Sequence, residues 1–172
     1  MTFGTDISPQ ALDTVAEVHS LGLVVGIPSA GRREILAAVL PYILRQTRAP
    51  QEIVICVPSA SDVDQTSIKE FPCPVRVLIS ERGSCRQRNH ILESVQGADV
   101  VVFLDDDFLM SATYLEETER IFAKYPDIDI CTGTVIADGI GGPGISVERG
   151  IEILNDELAQ KNADPVSSMY NA

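Results

Sequence analysis

Residues 100–104, Val-Val-Val-Phe-Leu, are five consecutive apolar side chains that run straight into three carboxylates, Asp105, Asp106 and Asp107. A short apolar run rich in β-branched residues reads as a strand buried on both faces, which requires layers packed above and below it. Three adjacent acids at its carboxyl end repel one another unless positive charge sits among them. Hard divalent cations take oxygen ligands, and in open α/β sheets ligands bind outside the carboxyl ends of the strands. Position and chemistry together predict a metal–phosphate site. The competing reading is a solvated turn that caps the next helix, because Asp favours both places. Against that reading, Phe108-Leu109-Met110 follows the acids where a Gly or Pro would mark a turn.

The remaining chain alternates between stretches that suit strands and stretches that suit helices. Ser8 and Pro9 suit the N-cap and first position of a helix ending near Ser20. Residues 21–27, 52–57, 74–79, 100–104 and 128–136 read as five strands. Helices are predicted over 32–46, 62–70, 86–96, 112–124 and 147–161. In the first of these five, Ile35, Leu36, Val39, Leu40, Ile43 and Leu44 recur at helical spacing, and Pro41 predicts a kink. In the later ones, Ile91, Leu92 and Val95, then Leu115, Ile121 and Phe122, are predicted to face inward. Alternating strands and helices imply right-handed crossovers and a mainly parallel, doubly wound α/β sheet with helices on both faces. No repeat, low-complexity tract or linker divides the 172 residues, so a single domain is expected.

A formal net charge of −12 argues against nucleic acid or an anionic membrane surface as the main partner. An anionic nucleotide then needs a local basic patch or a metal. No apolar run reaches the length of a membrane span. The N-terminus carries Asp6, Asp13 and Glu17 and no basic segment, unlike a signal peptide. A cytoplasmic protein, at most peripheral at the inner membrane face, is the expectation. The four cysteines lack paired metal-type spacing and read as buried free thiols, with Cys56 and Cys131 in or beside strands. His19 and His90 lie far apart and read as structural.

Four stretches follow one another in order: Ile27-Pro28-Ser29-Ala30-Gly31-Arg32; Gln46 with Glu52-Ile-Val-Ile-Cys56 after it; Gln87-Arg88-Asn89; and Phe103-Leu104-Asp105-Asp106-Asp107. The set resembles the family 2 glycosyltransferases, inverting enzymes with the GT-A (nucleotide-diphospho-sugar transferase) fold. That family shows Ile-Pro-Thr-Tyr-Asn-Arg at the first-strand exit, a similarly spaced helix end and second strand, Ala-Arg-Asn, and Phe-Leu-Asp-X-Asp. The resemblance spans about residues 21–136.

It implies a nucleoside-diphosphate sugar lying across the carboxyl ends of these strands. A hydroxyl acceptor, a glycan or a lipid-linked sugar, would take the sugar with inversion. Asp105 would face the ribose, and Asp107, with Asp105 beside it, would ligate a Mg²⁺ or Mn²⁺ ion bridging the phosphates. Asp106 would sit behind them or in solvent, within the nucleotide-sugar site. Pro28, Ser29, Ala30, Arg32 and Val57 complete that site, and Arg88 is either near the base or phosphates or simply solvated. Arg82 and Arg86 add local positive charge.

Three departures accompany the resemblance. Val57 and Pro58 stand where the family carries acids that read the base, and only Asp62 of that element remains. Ala30 replaces a stacking aromatic, so uridine is not implied. The family's general base and acceptor-binding helices are not recognisable beyond Asp107, which leaves a donor-binding part with the base outside it. Glu148 and Glu152 read as a solvated helix face, and loop 139–144 as a lid or an ordinary surface loop. The alternatives are a catalytically incomplete nucleotide-sugar-binding module and a sugar-phosphate nucleotidyltransferase. For the latter, Ser29-Ala30-Gly31-Arg32-Arg33 is a thin phosphate loop. A receiver-type phosphoacceptor domain would want acids where Pro28 and Ser29 stand.

Overall fold

A computed structural model describes residues 20–69 and 71–163. The strands are β1 (Leu23–Pro28), β2 (Glu52–Val57), β3 (Val75–Ile79) and β4 (Val100–Phe103). The helices are α1 (Arg33–Leu44), α2 (Ser84–Ser94), α3 (Tyr114–Lys124) and α4 (Val147–Ala163). The strands form one sheet in the order β3-β2-β1-β4, and every neighbouring pair is parallel.

Strand β1 is buried at all six positions because it is flanked by strands and covered on both faces. Alternate residues of a strand point to opposite faces. Leu23, Val25 and Ile27 therefore join Ile53, Ile55 and Val57 under Leu36, Leu40 and Ile43 of α1 and Leu115 of α3. Val24, Val54 and Cys56 face the other layer, where Ile91 of α2 covers them. Each fully buried Leu, Ile or Val contributes about 1.5–3 kcal/mol. A Cβ on Gly26 would come within 3.0 Å of both Ile91 Cγ2 and Phe103 Cε1. The missing side chain lets α2 lie close on β1, which carries the start of α2 to the strand exits.

The chain steps outward from β1 to β2 to β3, then returns to place β4 on the other side of β1. The order reverses between β1 and β4, and such a switch opens a crevice at the carboxyl ends of the two strands.

Several expectations from the sequence change here. The helix expected from Ser8 to about Ser20 lies outside the described residues except for Ser20. Residues 62–69 form no α-helix, and Glu70 lies outside the described residues; a single 3₁₀ turn occupies Ala60–Asp62, with Ser59 Oγ accepting from the Ser61 N–H. Residues 128–136 form no strand. No ladder partner meets them among the described residues, and Ile130 is 88% exposed. Strand β4 is an edge strand among the described residues, so only Val100 and Val102 are buried and its second face is half covered. Leu92 is exposed while Ile91 is fully buried, and Cys85 and Cys131 are exposed thiols. Burial pushes the Cys56 thiol above its ordinary value.

Two polar side chains, Gln46 and Glu119, tie α3 to the segments that follow α1 and precede β1. Gln46 donates to the Ser111 carbonyl at 2.7 Å and accepts from the Leu115 N–H at 3.0 Å, serving the N-terminus of α3, which has no side-chain cap of its own. Glu119 accepts from Arg48 Nε at 2.8 Å, the Leu21 N–H at 2.8 Å and Ser20 Oγ at 3.1 Å. The Arg48 hydrogen bond is the largest influence holding the Glu119 carboxyl below its ordinary value of 4.5. A depressed carboxyl contributes stability that is present above its unfolded value and is lost as pH falls through its folded one. Glu119→Gln is therefore expected to lose about 1 kcal/mol at pH 7. In urea unfolding the gap to wild type should shrink as pH drops below 4.5; a gap that stays constant down to pH 3 would refute the assignment.

Candidate functional site

A cleft of ≈ 380 Å³ opens at the β1–β4 switch point. The β1 exit contributes Pro28, Ser29, Ala30 and Arg32 to its wall, and the start of α2 contributes Arg82, Gly83, Ser84 and Gln87. Asp105, Asp106 and Asp107 form the opposite wall. Six of the eight residues expected at the nucleotide sugar from the sequence thus meet in one place, together with the metal candidate Asp107. Arg88 lies just outside the cleft but reaches it through Asp105. Val57 does not reach it, because its β2 position points into the α1 core, where it is fully buried.

The three acids are separated by a turn. The Phe108 N–H donates to the Asp105 carbonyl at 3.1 Å, which sends neighbouring side chains in different directions. Asp106 goes inward and is 6% exposed. It is not a solvated residue: it accepts from Ser29 Oγ at 2.6 Å and from Arg32 Nη1 at 2.7 Å. Asp105 and Asp107 go outward, with side chains 67% and 51% exposed. Arg88 Nη2 donates to Asp105 at 2.6 Å and Arg32 Nη2 to Asp107 at 2.7 Å. The counter-charge that sequence reading assigned to a metal is held here by two arginines. The hydrogen bond that Arg32 donates to Asp107 is the main reason its guanidinium is raised above its ordinary value. Burial is the main reason the Asp106 carboxyl is raised, with Ser29 and Arg32 opposing it.

Gln87 was not assigned a role from the sequence, yet it holds the strand exits together. It is 2% exposed, and its Nε2 donates to the Ser29 carbonyl at 2.7 Å and the Cys56 carbonyl at 2.6 Å. The available signal was its place four residues before the buried Ile91, on the inward face of the same helix.

Gly83, at φ 149°, stands at the N-cap of α2, so no side chain caps the helix there and its first N–H groups lie beside the cleft. Arg88 also bonds Ser84 and lies 5.9 Å from the Phe103 ring. Across Asp105, a second hollow of ≈ 230 Å³ is lined by Arg88, Phe103, Tyr114 and Thr132, among others. Loop 139–144 is not part of either lining; it closes on itself, since a Cβ on Gly139 would sit 2.6 Å from Gly144 Cα. Glu152 pairs with Arg149 on the exposed face of α4.

Among the described residues no three His, Cys, Asp or Glu side chains converge as an all-protein metal cage. Mg²⁺ does not need one, because it commonly takes one or two carboxylates together with substrate phosphates and water. Asp105 and Asp107 are hard oxygen donors, exposed at the cleft, and each meets an arginine through a single oxygen. That donor set fits a metal shared with a phosphate ligand.

An all-parallel doubly wound sheet with an acidic turn at its switch point is an α/β fold of the GT-A type. The family described as Glycosyl transferase family 2 matches residues 24–169. The chain belongs to that family, which sets the nucleotidyltransferase alternative aside. Solved structures of S. aureus TarS share the fold. One is 15% identical with a TM-score of 0.51, covering 68% of this chain and 23% of its own. TarS 1–349 is 16% identical with a TM-score of 0.54, covering 69% and 39% respectively. TarS 1–349 in complex with UDP-GlcNAc is 17% identical with a TM-score of 0.51, covering 69% and 38%. The chain thus spans well under half the length of these structures. No curated protein matches it significantly.

Proposed function

We propose that this chain binds a nucleoside-diphosphate sugar in the cleft and forms the donor-binding part of an enzyme that transfers the sugar, with inversion, to a hydroxyl of a glycan or lipid-linked acceptor. The observation that carries the reading is the turn that aims Asp105 and Asp107 into a cleft whose other wall is basic. The TarS complexes with UDP and UDP-GlcNAc support the ligand class.

In this reading Asp105 faces the ribose, and Asp107, with Asp105 beside it, would hold Mg²⁺ or Mn²⁺, which would supply positive charge against the charge that develops on the departing diphosphate. Arg82 and the uncapped start of α2 lie where that anion is favoured by the helix dipole. The acceptor oxygen attacks the anomeric carbon on the face opposite the diphosphate, the carbon–oxygen bond to phosphate breaks, and the hydroxyl proton passes to a base outside the described residues. No described helix is long and apolar enough to cross a membrane.

Calorimetric titration of UDP, GDP and dTDP, with and without Mn²⁺, tests the site. One diphosphate is expected to bind in a metal-dependent manner, and Asp107→Asn should weaken it at least about tenfold, or ~1.4 kcal/mol. Failure of all three to bind under either condition would sink the donor-site reading.

A further inference from the structure

Arg32 stands where the charge of a metal ion would be wanted. Its Nη2 donates to Asp107 and its Nη1 to Asp106, each at 2.7 Å. The inner anchor is rigid: Asp106 is buried against Ser29 Oγ, and the Ser29 carbonyl is held by the buried amide of Gln87. One arm of the guanidinium is therefore fixed from below while the other covers an exposed carboxylate. An arginine fork suits this bridging, because its donors lie in one plane at fixed separation.

We propose that Arg32, positioned by Asp106, is a built-in counter-cation of Asp107 with which a divalent ion must compete, so that metal and donor diphosphate bind as a coupled pair. The coupling to diphosphate rests on the donor-site reading above; the competition does not. An ion arriving alone at Asp107 finds one oxygen already held by Arg32 and must bind beside a guanidinium that stays tethered to Asp106 and repels it. A diphosphate relieves both problems. It supplies further oxygens to the ion and offers the freed Nη2 a new, charge-assisted acceptor. Asp106 touches neither ligand; it keeps Arg32 from swinging into solvent and is a positioning residue.

The direct test is Mn²⁺ alone, titrated at fixed ionic strength and read from the paramagnetic resonance of the free ion. Arg32→Ala is expected to bind Mn²⁺ at least about fivefold tighter than wild type, at the lower end of usual coupling factors. Arg32→Lys keeps the charge but cannot span both carboxylates, and should fall between the two. Adding Asp107→Asn to Arg32→Ala should remove the gain. Mn²⁺ affinity that is equal or weaker in both Arg32 variants overturns the proposal, and melting curves establish that the proteins compared are folded. In a second arm, whichever diphosphate binds wild type should strengthen Mn²⁺ binding by a larger factor in wild type than in Arg32→Ala. Equal factors overturn the coupling while leaving the donor site intact. If no diphosphate binds at all, the donor-site reading fails, and the Mn²⁺ comparison still decides the role of Arg32.

Discussion

Replacing Gln87 by leucine is expected to lower the unfolding free energy by about 2–4 kcal/mol. The side-chain volume is nearly conserved, so little of the loss comes from a cavity. What disappears is a pair of short hydrogen bonds to the Ser29 and Cys56 carbonyls, both inside the sheet-to-helix layer. The Cys56 carbonyl keeps the Ser29 N–H at 3.0 Å. The Ser29 carbonyl loses its amide partner in a site that is 3% exposed, and an unsatisfied buried acceptor costs about 1–3 kcal/mol. Urea unfolding reads the difference directly. A loss below about 1 kcal/mol would mean that water reaches the carbonyls and that Gln87 is not the tie between β1 and β2.

Asp106→Ala should produce the opposite profile, with diphosphate binding weakened about 10–100-fold and stability changed little. Burial raises the Asp106 carboxyl, so the charged form is disfavoured in the folded protein. A raised carboxyl contributes stability that is fully present below its unfolded value and is lost as pH rises through its folded one. At neutral pH its removal therefore relieves a desolvation penalty, which offsets the lost bonds from Ser29 and Arg32. The binding loss has a different origin. Without its inner anchor, Arg32 no longer presents a preplaced fork beside Asp107, and the ligand must order that side chain itself. The measurement is the same calorimetric titration alongside thermal melting. Undiminished binding with a large drop in melting temperature would show that Asp106 is purely structural.

The two variants together show where sequence reading reached and where it stopped. Strand β2 begins and ends at the residues expected, and β1 and β3 differ by one or two; the apolar runs of β1 and β2 require burial on both faces, while β3 is a half-buried edge strand. The acidic triplet was legible as a candidate site from its place at a strand end, and the family resemblance grouped Arg32 and the Pro28–Ala30 exit with it; the fold brings them to one cleft. The stretch 128–136 was misread on the same logic: its β-branched residues suit a strand, yet a strand exists only where a partner pairs with its N–H and C=O groups, and none does among the described residues. The inward turn of Asp106 was likewise invisible, since three identical side chains in a row carry no mark of which one a turn will bury.

By itself, then, the order of residues determined the layered α/β class, the parallel crossovers and the end of the sheet where chemistry collects. These follow from local periodicity and from the handedness of the chain. Tertiary structure alone decided which acid is buried, which arginine faces which carboxylate and that Gln87 spans two strands. Those depend on contacts between residues up to 77 positions apart, and no local pattern encodes the distance between side chains that meet only after the sheet has formed.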